Sequence, residues 1–459
     1  MRQDAHSFRE ERRDLPAPSR RSPAPLPLPR AGPPNLLKGR HAVTAPTKQQ
    51  SIIYQVSMYS ALVDNQKGPN LEADLYADIQ AALKNAEADI GRWSVAWGPI
   101  VVPFDTTSYA LNAMYVAQSE DQPGTYVVGI AGTNPDSLAD WLLEDGLVSV
   151  QLPWIYGLFE APDARISLAT GIGLVILQNA TPGTGIPGSG TTLLQFVQGL
   201  GGKKGTNLIV SGHSLAGALS PTLTLWLQDI RILWDPFSAV TLSTMPTAGP
   251  TAGNAAFAAY SNSRISATRF ANAIDVVPHA WQASDLAEIP TLYAPNIEPD
   301  ATINDLVAGA QKLSANGDYT QIVNDTGWFP FQVNKAIIHE FAPPLVNFSL
   351  QLAWQHTTAY LRYFGVKSSE LEGWAGRFQT SFAAAASAAG TATGAARTVT
   401  APVGGTPTVI PSGSDPGSAD IAGQVLADLR RAGTPEQQQQ VSIPVDPQRL
   451  ANSPAGTAG

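Results

Sequence analysis

Ser214 stands in Gly212-His213-Ser214-Leu215-Ala216, between a β-rich run, TNLIVSG (206–212), and a helical pattern, LAGALSPTLTLWLQDI (215–230). A serine on a sharp strand-to-helix turn projects its hydroxyl above a sheet, and small residues two before and two after it let strand and helix approach closely. Serine also favours plain helix-capping positions. The strand before and the helix after favour the nucleophile over the cap. Ala216 stands where the G-x-S-x-G pattern has its second glycine, with Gly217 directly behind it.

A serine hydroxyl is a weak nucleophile until a histidine takes its proton, and that histidine needs an acid to hold its tautomer. The chain has six histidines. His6 and His41 lie in a stretch without periodicity. His213 adjoins the serine, and neighbours on an elbow point apart, so it is given a packing role. His279, His339 and His356 remain. Asp275 ends the strand-like run ISATRFANAID (265–275) and is the first acid candidate, with Asp285, Asp300 and Asp305 as alternatives. Aspartate also simply starts turns at strand ends. His279 follows Asp275 too closely to fold back on it. His339 sits in a helix-like stretch beside Glu340, and His356 in Trp354-Gln355-His356-Thr357-Thr358-Ala359-Tyr360.

These residues need a frame. Apolar periodicity predicts helices over SIIYQVSMYSALV (51–63) and LEADLYADIQAALKNAEADI (71–90). SYALNAMYVAQ (108–118) and GTYVVGIAG (124–132) read as strands around a Glu-Asp-Gln-Pro-Gly turn. TNLIVSG, FSAVTLSTM (237–245) and ISATRFANAID add further strands. Strands alternating with helices imply an α/β fold with a mostly parallel central sheet flanked by helices. Active sites in such sheets lie at the carboxyl ends of strands, where Ser214 and Asp275 fall.

The core is read as 49–378. Residues 1–48 are Pro-, Arg- and Ser-rich, and 379–459 are rich in Ala, Gly, Thr and Pro, so both are expected to be disordered tails. A short helical patch, ADIAGQVLADLRRAG (419–433), interrupts the second. The net charge of -9 divides unevenly: residues 1–48 hold 10 Lys/Arg against 4 Asp/Glu, and the rest 18 against 33. An acidic body argues against nucleic acid as the main partner. The absence of cysteine excludes disulfides, thiolate metal sites and cysteine nucleophiles. No cluster of histidines and carboxylates points to a metal, and no cofactor is expected. No apolar run reaches the roughly 18 residues of a membrane span. Arg12-Arg13 and Arg20-Arg21 are followed by a Pro-rich stretch without an apolar h-region, so no signal peptide is read and the cytoplasm is the default location, with other export routes open.

Ile209-Val-Ser-Gly-His-Ser-Leu-Ala-Gly-Ala-Leu-Ser resembles the signature of the class 3 (fungal-type) lipase family, within the α/β-hydrolase superfamily. Ala248-Gly249-Pro250-Thr251-Ala252-Gly253-Asn254 resembles its segment after the central strand, and Gly132-Thr133-Asn134 with Asp140-Trp141 its oxyanion loop. The matches keep the family's order over about Tyr126 to Phe364, leaving the tails and 284–335 uncovered. The resemblance implies the α/β-hydrolase fold and a triad of Ser214, Asp275 and His356, the histidine that precedes a tyrosine on a C-terminal helix. It implies an oxyanion hole from the N–H of Leu215 and from Thr133, through its N–H and hydroxyl. The expected activity is hydrolysis of acyl-lipid esters by a triacylglycerol lipase, at a lipid–water interface. A phospholipase, an esterase or a catalytically silent lipid-binding scaffold are the alternatives. The apolar run from Trp141 to Phe159 is expected either as a mobile flap over an acyl cleft, like the family's lid, or as a buried helix pair.

Overall fold

The computed structural model describes residues 45–66, 70–103, 110–132, 146–299, 301–322 and 327–391. Most of the expected tails, with the patch at 419–433, and the segment Thr133, Asn134, Asp140 and Trp141 lie outside the described residues.

Helices α1 (Lys48–Met58) and α2 (Leu71–Asn85), with a single further helical turn at Glu87–Ile90, precede the sheet. Thr47 starts α1 with a capping box: its hydroxyl accepts from the Gln50 N–H at 3.2 Å, and the Gln50 side chain accepts from the Thr47 N–H at 2.8 Å. The sheet has six strands, β1 (Trp93–Pro103), β2 (Ala110–Ser119), β3 (Thr125–Ile130), β4 (Asn207–His213), β5 (Thr241–Thr247) and β6 (Ser266–Ala267), side by side in chain order. The first three are antiparallel neighbours, and β3 to β6 are parallel. Parallel neighbours need crossovers. These contain α3 (Leu168–Asn179), α4 (Leu215–Asp229) and α5 (Ala255–Arg264). After the short helix Ala283–Leu286 and the helix Ala301–Ser314, the described chain closes with α6 (Pro344–His356), α7 (Thr358–Tyr363) and α8 (Ser369–Thr391). The last runs on beyond position 378, with Phe382 buried within it.

The period of two along each strand divides the apolar side chains between two cores. On β2, Ala113, Tyr115 and Ala117 join α1, α2 and α6 to α8, whereas Met114 and Val116 face α3, α4 and α5. The sheet is thus covered on both faces, as the alternation of strands and helices implies.

The structure adds β1, which the sequence reading omits. Gly98-Pro99 lies in its middle, and the ladder absorbs it as a bulge, with register shifts on both sides of Trp97. Gly98 has φ +75°, and a Cβ there would lie 2.9 Å from the Met114 carbonyl oxygen. The run ISATRFANAID is also not one strand. Ser266–Ala267 joins the main sheet and Phe270 keeps a single parallel bridge to Thr247, whereas Ala271–Asn272 pairs with Trp328–Phe329. That change of partner carries the chain away from the sheet edge just before Asp275.

Candidate active site

Ser214 joins β4 to α4 with φ 63° and ψ -132°. Residues with a Cβ rarely occupy that region, and they persist there only when the surroundings over-determine them. Here the Ser214 N–H donates to the Thr247 carbonyl at 3.2 Å, and the Ser214 carbonyl accepts from the Gly217 N–H at 2.7 Å. Missing side chains close the turn. A Cβ on Gly212 would lie 2.6 Å from the Ala216 Cβ, and one on Gly132 3.0 Å from the Ser214 Cβ. The departure at Ala216 is therefore accommodated by Gly212 opposite it. One position on, a Cβ at Gly217 would meet the Thr247 carbonyl oxygen at 2.4 Å. Leu215 is the first residue of α4, so its N–H has no acceptor within the helix and sits at the positive end of the helix dipole.

His356 ends α6, and Asp275 follows the short strand at Ala271–Asn272; both are fully buried. The Nδ1 of His356 lies 2.9 and 3.1 Å from the two carboxylate oxygens of Asp275. Those acceptors place the imidazole proton on Nδ1 and leave Nε2 an acceptor. Asp275 is itself held. The Val277 N–H donates to Oδ1 at 3.2 Å and the Tyr360 hydroxyl to Oδ2 at 3.0 Å. Tyr360 in turn accepts from the Asn272 N–H at 2.8 Å. Burial, and then the Asp275 charge, push the Tyr360 phenol well above its ordinary range, so it remains a donor.

Two atoms complete the arrangement. Ser214 Oγ and His356 Nε2 are buried, and neither has a hydrogen-bond partner among the described residues. Buried polar atoms are seldom left so. The residue beside the serine links the two: His213 Nε2 donates to the His356 carbonyl at 2.7 Å, its Nδ1 lies 3.1 Å from the Thr247 hydroxyl, and the two rings are 4.8 Å apart. Burial, followed by proximity to His356, holds His213 well below the usual histidine range, which fits a neutral ring with its proton on Nε2. His213 thus packs, as expected, and also anchors the main chain of His356. The sequence reading missed that link and the role of Tyr360, although the spacing of four from His356 to Tyr360 was a signal.

The remaining candidates sit elsewhere. His279 is buried with its ring nitrogens 3.3 and 3.2 Å from the carbonyls of Asp285 and Ala273, against the Trp328 ring. His339 is exposed after a single 3₁₀ turn, Lys335–Ile337, rather than in a helix, and its main chain is tied to the Asn347 side chain. Asp285 takes hydrogen bonds from Gln282 and Ser284, and Asp305 is exposed on the helix Ala301–Ser314. Asp300 and Thr133 lie outside the described residues. No group of three or more His, Asp or Glu among the described residues could hold a metal.

The apolar run after the oxyanion loop divides. Trp141, Leu142 and Leu143 lie outside the described residues. Its second half is neither a flap over Ser214 nor a helix pair. Gln151–Pro153 forms a hairpin with Arg165–Ser167, and the indole N–H of Trp154 donates to Asp229 at 2.8 Å. Asp229 ends the 15-residue helix that Ser214 begins, so about 22 Å of helix separates them. Tyr156, hydrogen-bonded to Gln178 at the end of α3, belongs to the same remote pole. The indole proton needs a buried acceptor, and Asp229 supplies it there.

The family model described as Lipase (class 3) matches residues 191–284, a span that holds Ser214 and Asp275 and stops before His356. Among solved structures, the crystal structure of M37 lipase is 31% identical, with a TM-score of 0.61, covering 72% of this chain and 97% of its own. Lipase II from Rhizopus niveus is 20% identical, covering 52% of this chain and 74% of its own, with a TM-score of 0.36. A Rhizomucor miehei lipase propeptide complex is 19% identical, covering 52% and 65%, with a TM-score of 0.36. Among curated proteins none matches the chain.

Proposed function

The chain belongs to the class 3 lipase family and is a carboxylic ester hydrolase of the α/β-hydrolase fold; from that premise we propose that it hydrolyses acyl-lipid esters, triacylglycerols first among them, through an acyl-serine on Ser214. The observation that carries this reading is the pair of buried atoms without a hydrogen-bond partner among the described residues, Ser214 Oγ and His356 Nε2, on residues that His213 holds together.

In the proposed cycle His356 Nε2 takes the Ser214 proton as Oγ attacks the ester carbonyl carbon. Asp275 holds the Nδ1–H tautomer and stabilises the imidazolium that forms. The carbonyl oxygen becomes an oxyanion, stabilised by the N–H of Leu215 and by Thr133. The carbon–oxygen bond to the alcohol breaks, and His356 returns the proton to the leaving oxygen. Water, deprotonated by His356, attacks the acyl carbon; the bond to Oγ breaks as His356 returns that proton to it, releasing fatty acid and free Ser214. No cofactor is called for in this scheme.

The test is turnover of p-nitrophenyl esters from acetate to palmitate by the chain and its Ser214→Ala variant. Long-chain preference and loss of turnover in the variant support the lipase reading. A preference for acetate points to an esterase, and full activity in Ser214→Ala removes Ser214 as nucleophile. Paired assays on triacylglycerol and phospholipid emulsions separate lipase from phospholipase.

A further inference from the structure

We propose that the pole of the molecule opposite Ser214 is a docking surface for an anionic lipid surface, separate from the site of ester hydrolysis and independent of it. Seven large apolar side chains are exposed among the described residues, and six stand at this pole: Ile155, Leu158, Phe159, Ile232, Leu233 and Phe237. The seventh, Phe341, precedes α6, which packs on the other face of the sheet. Such clustering is unlike the scattered apolar residues of an ordinary surface.

Both trios hang from the far ends of the helices behind the sheet. Trp154, next to Ile155, is bonded to Asp229 at the end of α4, and Glu160, next to Phe159, lies 3.3 Å from Arg264 at the end of α5. Ile232 and Leu233 lie on the 3₁₀ turn that follows α4. These are not loose loops. Buried Asp235 accepts from the N–H groups of Gly202, Ala239 and Val240, each at 3.0 Å, and pairs with Arg231 at 2.9 Å. The Trp234 indole donates to the Leu227 carbonyl at 2.8 Å. A fixed platform therefore holds the apolar side chains in water.

Charge decides what covers them. The bond from Gly202 to Asp235 brings Lys203 and Lys204 beside the Phe237 turn, and both are exposed and make no ion pair with a described residue. The carboxylates nearby are mostly spent: Asp235 on Arg231, Asp229 on Trp154 and Tyr260, Glu160 on Arg264, with Asp163 left exposed. Two lysines with no ion pair among the described residues, beside apolar side chains in an otherwise acidic body, fit negative headgroups over hydrocarbon. Shape agrees. Phe159 is 104% exposed and Phe237 85%, so they protrude singly, as residues that enter an acyl layer do, rather than forming a flat face for a protein.

The full-length Ser214→Ala chain, which leaves the lipid intact, is sedimented with vesicles of phosphatidylcholine alone or with added phosphatidylglycerol. Binding to the mixed vesicles is expected to fall at least about ten-fold in F159S/F237S, and K203E/K204E should reduce it to the level seen with phosphatidylcholine. The F159S/F237S change in the Ser214-containing chain should leave hydrolysis of a soluble ester unaltered, which shows that the variant folds. Equal binding by F159S/F237S, or no binding by the parent, overturns the proposal. A dimer on light scattering that F159S/F237S dissolves, without vesicle binding, overturns it in favour of a second copy of this chain.

Discussion

His213 donates its Nε2 proton to the main-chain carbonyl of His356, so the residue beside the serine fixes where the proposed base enters the site. Removing that ring leaves a buried carbonyl unsatisfied, at a cost of about 1–3 kcal/mol. His213→Phe should therefore lower the urea midpoint and reduce kcat while KM changes little. A variant with wild-type kcat would show that the link is structural only.

The same histidine carries a pH signature. Its folded pKa lies below the ordinary 6.5, so the folded state disfavours the proton that the unfolded chain accepts. Its contribution is full above that value and is lost as pH falls from there towards the folded pKa. Urea midpoints between pH 7.5 and 5.5 should thus decline less steeply in His213→Gln than in the parent, and parallel slopes would refute the assignment.

Asp275→Asn keeps the shape of the acid but removes the charge that selects the His356 tautomer. In the serine protease for which this change is documented, the cost is roughly 10⁴-fold in kcat. A comparable loss, with an unchanged circular dichroism spectrum, is expected here.

Tyr360→Phe leaves the Asn272 N–H without its acceptor and Asp275 without one donor. The loss should be about 1–3 kcal/mol of stability and roughly ten-fold in kcat, the equivalent of about 1.4 kcal/mol. Asn272 packs against the Gln355 side chain as well, at 2.8 Å, so the variant should still fold.

Gly217→Ala would push a methyl into the Thr247 carbonyl oxygen and the Gly249 Cα, at 2.4 and 2.6 Å. Backbone cannot rotate aside as a side chain can, so destabilisation of about 3 kcal/mol or more is expected, at the upper end of overpacking. A thermal midpoint equal to that of the parent would contradict the close contact.

The elbow was legible because strand, serine and helix are contiguous and each has a strong local signature. The sheet was legible for the same reason from β2 to β5. What failed was non-local. β1, with Gly98-Pro99 in its middle, has no strand signature of its own, and pairing with β2 makes it a bulged strand. The run ISATRFANAID keeps a strand-like composition, but its ends pair with different sheets. Leu152 to Phe159 look like a flap until the Trp154–Asp229 bond sets their pole. His339 and His356 could be ranked only by resemblance, because 81 residues separate Asp275 from the histidine it meets.

The strands lie in chain order, and the sheet is complete at Ala267, well before His356. A chain leaving the ribosome N-terminus first can therefore assemble its scaffold, its serine and its acid while the histidine is still unmade. With His356 as the proposed base, the nascent chain gains hydrolytic power only once α6 is made, in the same stretch that closes the core on that face of the sheet.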